Sequence, residues 1–474
     1  MKTLEHIMDF IARNILKVVF SIIFIAAVFI KAMYSFDDSP YFTSHNLYDV
    51  IMGVLAVSLF AIIVRYRDWL QEHINYRLCF LLFAVFSIAY IILVPLTPFS
   101  DMAAVYRGAV HFSRFEFAEL FADEYWNVFP GNILLAVFWG ILLIPFPKSL
   151  ITVKIINAVL TYAIIAITRN LAKEYNVRYY NLVYVLMLTF MPLFLYMNHV
   201  YFDLPVILIC MSSIYLFVKG KNIILIFAIL GIGKYIRTSV SIVMLAILFI
   251  YIFDKISAAN KKYAIRHAAA LIAALSVFAA LGYGLPKLVY SACYGSSDIK
   301  SYSGWNQIYI GLNENEFGFM DNDFSYDRSF GDIVNRVKTY GPVRLAKIIT
   351  KKAFWLWSQG TYQAERYAFG ADAGNVFDKF EYETILTKYL LNSEQKLRKL
   401  INAFMRAQYL ILFLLMTLTF WTEDDIEKYR LFYYIIFATF AIMLVYELKS
   451  RYILQLCPLM VILAVRRIEK VNIE

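Results

Sequence analysis

Four groups of ionisable residues, far apart in the sequence, stand where an apolar run meets a polar stretch. They are Asp101 in TPFSD, Asp203 in HVYFDLP, the Lys234/Arg237 pair in GIGKYIR, and Glu447 with Arg451 in ELKSRY. Ionisable groups within or beside a bilayer are costly, so each of these groups is a functional candidate. The first lies in segment 95–132, a polar, acid-rich interruption between apolar runs.

The two aspartates have the chemistry of a general base or of a ligand for a cation. Asp101 stands at the end of an apolar run, where a carboxylate can remove a hydroxyl proton as a new bond forms. Asp203 could position an acceptor hydroxyl or help to bind a cation. Both also have a structural interpretation. Ser100 or Asp101 could cap the next helix. Pro205 places Asp203 at a helix start. His199 is interpreted as an interfacial, supporting side chain.

The first pair of basic residues indicates a bound anion. Lys234 and Arg237 stand between two short apolar runs, 222–233 and 238–253. If both runs cross the membrane, the pair lies outside, against the positive-inside rule, and a bound phosphate would supply the missing countercharge. If the runs form one unit that returns to the cytoplasm, the pair is ordinary flanking charge.

The last candidate group directly precedes the final apolar run. Arg451 follows Glu447 at a spacing of one helical turn. This spacing predicts either an i,i+4 salt bridge at a helix end or a further phosphate contact that Glu447 orients.

The composition identifies a polytopic membrane protein. Hydrophobic residues make up 61% and charged residues 17% of the 474-residue chain, with a mean hydropathy of +0.62. Soluble domains average roughly 45–50% apolar and 25% charged residues. The net charge of +10 is explained by basic cytoplasmic loops and does not indicate nucleic acid. The four cysteines form neither a disulfide framework nor a zinc motif.

The loop charges predict which parts lie outside the cell. With a basic N-terminus in the cytoplasm, the third apolar run exits and places Asp101 outside. We expect about 12 crossings, within a range of about 11–13, with 133–146 a half-length or re-entrant segment. The predicted regions are N-terminal transmembrane helices (1–94), an external loop with juxtamembrane helices (95–132), a central bundle (133–285), an extracytoplasmic cap (286–405) and C-terminal transmembrane helices (406–474).

The cap region contains one stretch with helical spacing. In 330–358, the residues expected on inner faces are Ile333, Val337, Val343, Ile348 and Trp355. The Asp321–Asp323 pair has a DxD pattern, but in an acid-rich loop a solvated turn is the better interpretation. P-loop, GxSxG and HExxH patterns do not occur in the sequence.

Together these motifs resemble the GT-C superfamily of integral membrane glycosyltransferases. The resemblance is to the bacterial enzymes that use polyprenyl-phosphate sugars, such as protein O-mannosyltransferases and the lipid A aminoarabinose transferase. PFSDMAAVYRGA resembles the family's acidic external loop and VYFDLP its second acidic site. The GKY turn with Lys234 and the late E…RY with Glu447, Arg451 and Tyr452 resemble its basic sites. The acidic loop follows the third span here, whereas in the family it usually follows the first.

The resemblance implies an all-α, GT-C-like bundle with a small external cap. It implies inverting transfer of a sugar from undecaprenyl phosphate to a hydroxyl of a cell-envelope acceptor, such as teichoic acid, a cell-wall polysaccharide or a glycolipid. The site would lie on the outer face of the plasma membrane, among membrane lipids and without nucleic acid. No cofactor is required, and a divalent cation is left open.

The resemblance also assigns roles to residues. Asp101 would take the acceptor proton, while Lys234, Arg237 and Arg451 would stabilise the leaving phosphate. Three aromatic residues are candidates for lining the sugar or acceptor path, with a core position as the alternative: Trp305, Tyr309 and Trp357.

Two other function classes stay open at this stage. A transporter or flippase of lipid-linked sugars would also need basic groups at the outer face, but it predicts charges deep within spans, and the sequence shows few. A polysaccharide polymerase or ligase should depend more on arginines and histidines in external loops than on an aspartate in an early loop. The sequence names neither the sugar nor the acceptor.

Overall fold

The computed structural model describes most of the chain. The described residues are 2–34, 39–257, 261–294, 304–319, 328–367, 380–391, 396–423 and 425–470. The predicted DxD turn at 321–323 lies outside them.

The N-terminal region consists of long apolar helices with one short hairpin. Its elements are α1 (Lys2–Phe29), the antiparallel strands β1 (Lys31–Tyr34) and β2 (Pro40–Thr43), α2 (Leu47–Arg65), α3 (Arg67–His73) and α4 (Tyr76–Leu93). The sequence analysis did not predict the hairpin. Trp355 Nε1 lies 3.2 Å from both Met33 O and Tyr41 O, so a distant helix holds the two strands together.

Short helices follow Asp101, as the sequence predicted. They are α5 (Asp101–Ser113), α6 (Phe117–Ala122), α7 (Tyr125–Val128) and a 3-10 turn (Pro130–Asn132). The next helix, α8 (Ile133–Leu143), packs on α5 with very little space between them. A Cβ on Gly140 would lie 2.6 Å from the Phe112 ring, so this close approach requires glycine.

The central bundle contains the most strongly broken helices. Its α-helices are α9 (Leu150–Glu174), α10 (Tyr180–Thr189), α11 (Met191–Leu195), α12 (Asp203–Val218), α13 (Ile223–Ile236), α14 (Val240–Tyr251), α15 (Lys261–Ala279) and α16 (Leu285–Tyr294). A 3-10 turn (Tyr196–Asn198) follows α11, and π-helical turns (Ile252–Ser257 and Ala280–Gly284) follow α14 and α15. The apolar run 179–197 bends by 54° between α10 and α11, where Pro192 stands at the start of α11.

The last elements join the cap region to the C-terminal helices. They are α17 (Gly304–Gly311), α18 (Phe330–Ser358), α19 (Ala364–Tyr367), α20 (Ile385–Leu391), α21 (Lys396–Thr422), α22 (Ile426–Val445), a 3-10 helix (Ser450–Leu456) and α23 (Cys457–Glu469).

The described helices make this chain an all-α polytopic membrane protein. Eight of them are long and apolar enough to cross a membrane, and the bent pair α10–α11 would make nine. Three shorter apolar helices are Pro130–Leu143, Asp203–Val218 and Ile223–Ile236. The segment 133–146 is thus a short helix, as predicted. The range of about 11–13 crossings stays a prediction.

The predicted inner face of α18 is only partly correct. Ile333, Ile348 and Trp355 are buried, but Val337 is 38% and Val343 83% exposed. Gly341 has φ +66° and precedes Pro342, so the helix is interrupted there and its two halves do not share one face. A single 3.6-residue period across 330–358 was therefore the wrong assumption.

A buried lysine of α18 connects the end of α17 to the loop after α22. The Nζ atom of Lys352 donates hydrogen bonds to the carbonyl oxygens of Gly311, at 2.8 Å, and of Tyr446. The backbone N–H of Leu448 donates to Gly318 O at 2.7 Å. The loop after α22 is thereby fixed against the end of α17.

Replacing this lysine should destabilise the protein. Lys352→Met leaves two buried carbonyl groups without their donor, so we expect the free energy of unfolding to fall by about 2–4 kcal/mol. Thermal unfolding of the detergent-solubilised protein, followed by tryptophan fluorescence, measures the change. The matched control is Lys351→Met at the exposed neighbouring position, with an expected change within about 0.5 kcal/mol. Equal unfolding temperatures for the two variants would contradict this role of Lys352.

Candidate functional site

Several of the candidate residues line one narrow cleft. Its walls come from the start of α12, the end of α13 and the 3-10 helix Ser450–Leu456. The cleft encloses about 10 Å³, which is space for about one water molecule. The lining residues are Phe202, Asp203, Val206, Ile207, Arg237, Arg451, Tyr452, Leu454 and Gln455.

Helix ends place the charged groups of the cleft. Asp203 is the first residue of α12, where the positive end of the helix dipole stabilises a carboxylate. Arg237 follows the last residue of α13, where the negative end stabilises a cation. The bodies of these helices are apolar, so only their ends bring charge to the cleft.

A buried histidine lies against Asp203. His199 Nε2 is 2.9 Å from Asp203 Oδ2, and their side chains are 0% and 4% exposed. The loop that carries His199 is held by Asn157 Nδ2, which donates to the carbonyl oxygens of Met197 and His199 at 3.1 and 3.0 Å. Burial lowers the pKa of His199 below 6.5, because desolvation outweighs the opposing effect of Asp203.

The two arginines of the cleft are held mainly by aromatic rings. The Arg237 guanidinium lies 3.7 Å from the Phe202 ring centre and 4.1 Å from that of Tyr452. The Arg451 guanidinium lies 4.5 Å from the Tyr367 ring centre and 5.3 Å from that of Tyr201. Cation–π contacts of this kind fix the position of a guanidinium without using its N–H donors.

Some of those donors have no acceptor in the described part of the chain. They are Nη1 of Arg237 and Nε of Arg451, and both atoms are buried. A buried donor without an acceptor costs about 1–3 kcal/mol, and more when it is charged. Two such donors at one small cleft are the pattern expected of a site for an anion.

Glu447 does not pair with Arg451 in the way its spacing allowed. Its carboxylate lies 2.7 Å from Lys449 Nζ and accepts a hydrogen bond from Tyr452 at 2.7 Å. Burial would raise the pKa of Glu447, but Lys449 and the Tyr452 hydroxyl hold it below its usual value. Glu447 therefore positions Tyr452, which lines the cleft.

The charges around the cleft leave one positive charge in excess. Among the residues that line the cleft, the cations are Arg237 and Arg451, and the carboxylate is Asp203. His199 adds no charge at neutral pH because its pKa is lowered. The surroundings therefore favour a ligand with at least one negative charge.

Asp101 is connected to this cleft through Tyr201. Asp101 is the first residue of α5, and its Oδ2 atom accepts a hydrogen bond from the Tyr201 hydroxyl at 3.3 Å. Ser100 makes no side-chain capping bond to α5. Since Tyr201 also contacts Arg451, Asp101 lies one side chain away from the arginines, although 350 positions separate Asp101 and Arg451 in the sequence.

Lys234 lies beside the cleft and does not line it. Its Nζ atom donates to Gly282 O at 3.1 Å and lies 3.5 Å from the Tyr283 ring centre. The Lys234 side chain is half-buried, and Lys234 is not among the residues that line the cleft with Arg237 and Arg451. Its assignment to the donor phosphate stays a prediction.

The three aromatic candidates occupy different places. Trp357 is fully buried between Phe20 and Phe413, with ring centres 4.6 and 6.3 Å away. Trp305 is 44% exposed and packs on Phe330 at 5.2 Å. Tyr309 lines a separate cavity between α17 and α18. None of the three is among the residues that line the cleft.

The sequence analysis missed three residues that complete the site. Tyr201 and Lys449 stand within the quoted motifs HVYFDLP and ELKSRY, so their position was the available signal. Tyr367 carries no such signal. It reaches the site from the largely buried segment 359–367. Its ring centre lies 4.5 Å from the Arg451 guanidinium and 5.1 Å from the His199 ring centre.

Among the residues that the structure describes, no group of three or more His, Cys, Asp or Glu side chains could hold a metal ion. At the cleft, the side chains that come nearest to forming a metal-ligand set are Asp203 and His199, which are paired with each other.

Comparison of this chain with protein-family models, with curated proteins and with solved structures finds no match in any of the three.

The lowered pKa of His199 predicts a specific dependence of stability on pH. The unfolded chain binds the His199 proton as the pH falls through about 6.5, whereas the folded protein resists it. His199 therefore contributes stability above this pH that is lost at lower pH. The decrease in unfolding temperature from pH 7 to pH 5 should be smaller in His199→Asn than in the unchanged protein. The control is His73→Asn at an exposed position, which should retain the full decrease. An equal decrease in all three proteins would contradict the prediction.

Proposed function

We propose that this protein is a membrane glycosyltransferase of the GT-C type, which uses a polyprenyl-phosphate sugar as donor. One observation carries the proposal. Arg237 and Arg451, each with a buried guanidinium N–H that has no acceptor among the described residues, line one small cleft, and Tyr201 links Arg451 to the carboxylate of Asp101.

The charge of the cleft suits this donor. A sugar linked to a polyprenyl phosphate is a phosphodiester with one negative charge, which matches the single excess positive charge around Arg237 and Arg451. When the sugar leaves, the phosphate gains a second negative charge. Groups that are fixed in advance where charge develops supply the largest share of many rate enhancements, and the aromatic rings fix these two guanidinium groups in that way.

The proposed reaction needs one proton acceptor. The acceptor hydroxyl oxygen attacks the anomeric carbon of the donor while the bond between that carbon and the phosphate oxygen breaks. Asp101 takes the hydroxyl proton, and the bonding electrons leave with the polyprenyl phosphate. Attack opposite to the leaving group inverts the configuration at the anomeric carbon. The Tyr201 hydroxyl, which donates to Asp101, orients the carboxylate.

The cleft must widen to admit a phosphate, since it now has space for about one water molecule. Arg237 and Tyr452 are both only half-buried, and their side chains contact each other. Their side of the cleft is therefore where a phosphate would enter, while Arg451 is buried.

The cell-envelope setting is part of the same proposal. The donor's lipid lies in the plasma membrane, and the site faces the extracytoplasmic side. The acceptor is a hydroxyl of a teichoic acid, a cell-wall polysaccharide or a glycolipid. This chemistry requires no nucleotide, because the sugar arrives already activated on its phosphate.

The decisive test uses the purified protein with undecaprenyl-phosphate sugars and cell-wall acceptors. Asp101→Asn should lower turnover by about 10²–10⁴-fold, since the proton acceptor is removed while the shape is kept. Arg237→Gln should lower turnover by about 10²–10³-fold, because the developing phosphate charge loses a donor.

The matched control is Asp123→Asn, in the same 95–132 segment. Asp123 pairs with the exposed Arg107 at 2.8 Å, outside the cleft, so this variant should turn over like the unchanged protein. Circular dichroism and gel filtration confirm that all variants are folded. Near-normal turnover of a folded Asp101→Asn variant would remove the assignment of Asp101, and near-normal turnover of Arg237→Gln would remove that of the phosphate cleft.

A further inference from the structure

The Tyr201 hydroxyl has a second partner, which the reaction described above does not use. Asn132 Nδ2 donates a hydrogen bond to the Tyr201 hydroxyl oxygen at 3.2 Å. The same nitrogen donates to the Tyr125 hydroxyl at 2.6 Å, so each of its two hydrogens is directed at one phenol oxygen. Asn132, Tyr201 and Asp101 therefore form one chain of hydrogen bonds.

The start of α8 and the turn before it hold Tyr201 at two points. Asn132 is the last residue of the 3-10 turn Pro130–Asn132, directly before α8. Within α8, the buried Trp139 donates from Nε1 to the Tyr201 backbone oxygen at 3.1 Å. The turn thus fixes the hydroxyl of Tyr201 while the helix fixes its backbone.

Close packing connects α8 to the helix that carries Asp101. A Cβ on Gly108 of α5 would lie 3.0 Å from the Ala136 Cβ of α8. So short a distance leaves the two helices little room to slide against each other. Asp101 at the start of α5 and Asn132 just before α8 are therefore both held at the Tyr201 hydroxyl.

Hydrogen-bond chemistry gives this chain a single direction. The Tyr201 hydroxyl carries one hydrogen, which it retains because burial and the charge of Asp101 raise the pKa of Tyr201. A carboxylate can only accept, and an amide nitrogen can only donate. With Asn132 donating to the Tyr201 oxygen, the one hydroxyl hydrogen is directed to Asp101 Oδ2.

This arrangement leaves the other oxygen of Asp101 for chemistry. Across the described ranges of the chain, the Asp101 side chain has one hydrogen-bond partner, Tyr201, which occupies Oδ2. Asp101 is partly exposed, so Oδ1 is the oxygen that a substrate hydroxyl can reach. In the proposed reaction, the acceptor O–H bond breaks as its oxygen bonds to the anomeric carbon, and the proton goes to Oδ1.

We propose that Asn132 is a positioning residue of the transferase. It directs the Tyr201 O–H to Asp101 Oδ2 and so keeps Oδ1 in place as the oxygen that takes the acceptor proton. A base that is oriented in advance does not have to be reoriented during the reaction. The catalytic role of Asn132 rests on the proposed function, whereas the direction of the hydrogen bonds does not.

The test is a double-mutant cycle in the purified full-length protein, with undecaprenyl-phosphate sugars and cell-wall acceptors as substrates. Asn132→Leu removes the donor, and Tyr201→Phe removes the hydroxyl but keeps the ring that contacts Arg451. Each variant should lower kcat by about tenfold and change KM for the donor by less than about twofold. The double variant should be at most about twofold slower than Tyr201→Phe, because Asn132 acts through the hydroxyl that this substitution removes.

Asn132→Asp reverses the hydrogen bond while the shape of the side chain is kept. The new carboxylate accepts from Tyr201, so the hydroxyl hydrogen turns away from Asp101, and kcat should fall by about 10–100-fold. The control for the added charge is Gly131→Asp, at the exposed neighbouring position where a Cβ would meet no atom within 4 Å. This control should turn over within about twofold of the unchanged protein. Since Asn132→Asp keeps the shape, it decides the matter if Asn132→Leu does not fold.

A readout without turnover separates this inference from the proposed function. Unfolding temperatures of the unchanged protein, the two single variants and the double variant form a second cycle. Tyr201→Phe should lower the unfolding temperature less in the Asn132→Leu background, because the bond between the two residues is already lost there. Such coupling without sugar transfer would remove the proposed function, and with it the catalytic role of Asn132, but would leave the hydrogen-bond chain in place.

Three other outcomes overturn the inference while the transferase assignment stands. Losses in kcat that multiply in the double variant would show that Asn132 does not act through Tyr201. Equal kcat for Asn132→Asp and Gly131→Asp would show that the direction of the hydrogen bond has no effect. A raised KM with unchanged kcat in Asn132→Leu would assign Asn132 to substrate binding.

Discussion

The placement of Arg451 is the constraint on which the rest of the site depends. A guanidinium that is 7% exposed between apolar helices cannot shed its charge, so the surrounding chain must stabilise it. The rings of Tyr201 and Tyr367 stabilise the guanidinium through cation–π contacts, and the buried carboxylate of Asp203 supplies opposite charge nearby. Because these groups and Arg451 itself come from three separate segments, stabilising Arg451 also brings those segments together.

The segment that carries Tyr367 shows the energetic cost of this arrangement. Gly360, Tyr362 and Gln363 all have positive φ, at 72°, 56° and 59°, and two of them are not glycine. At the two non-glycine positions such conformations cost of order 1–3 kcal/mol each and persist only when their surroundings hold them. Here the Gln359 side chain accepts from the backbone N–H groups of Thr361 and Tyr362 at 3.0 and 2.8 Å. Strain of this kind next to a charged cleft is typical of functional sites.

The cavity that Tyr309 lines and the cleft are structurally connected, although they share no lining residue. Lys352 bonds the end of α17, which carries Tyr309, to the loop after α22, which carries Glu447 and Lys449. The segment that carries Tyr309 therefore rests on the same scaffold that positions Tyr452 at the cleft.

The sequence by itself determined the membrane class, most helix positions and the candidate charged motifs, because apolar length and local charge follow from composition and spacing. It also indicated that Asp101, Asp203, Arg237 and Arg451 stand at the ends of apolar runs, where they do lie. Only the tertiary structure decided which of these meet. Lys234 and Arg237 are three residues apart, yet only Arg237 lines the cleft. The Glu447 carboxylate pairs with Lys449 and accepts a hydrogen bond from Tyr452, and it forms no ion pair with Arg451. Tyr367 lies at the site although no motif in the sequence around it predicted this position. Such partnerships are set by the packing of distant segments and by the need to compensate buried charge, and neither is encoded in local spacing.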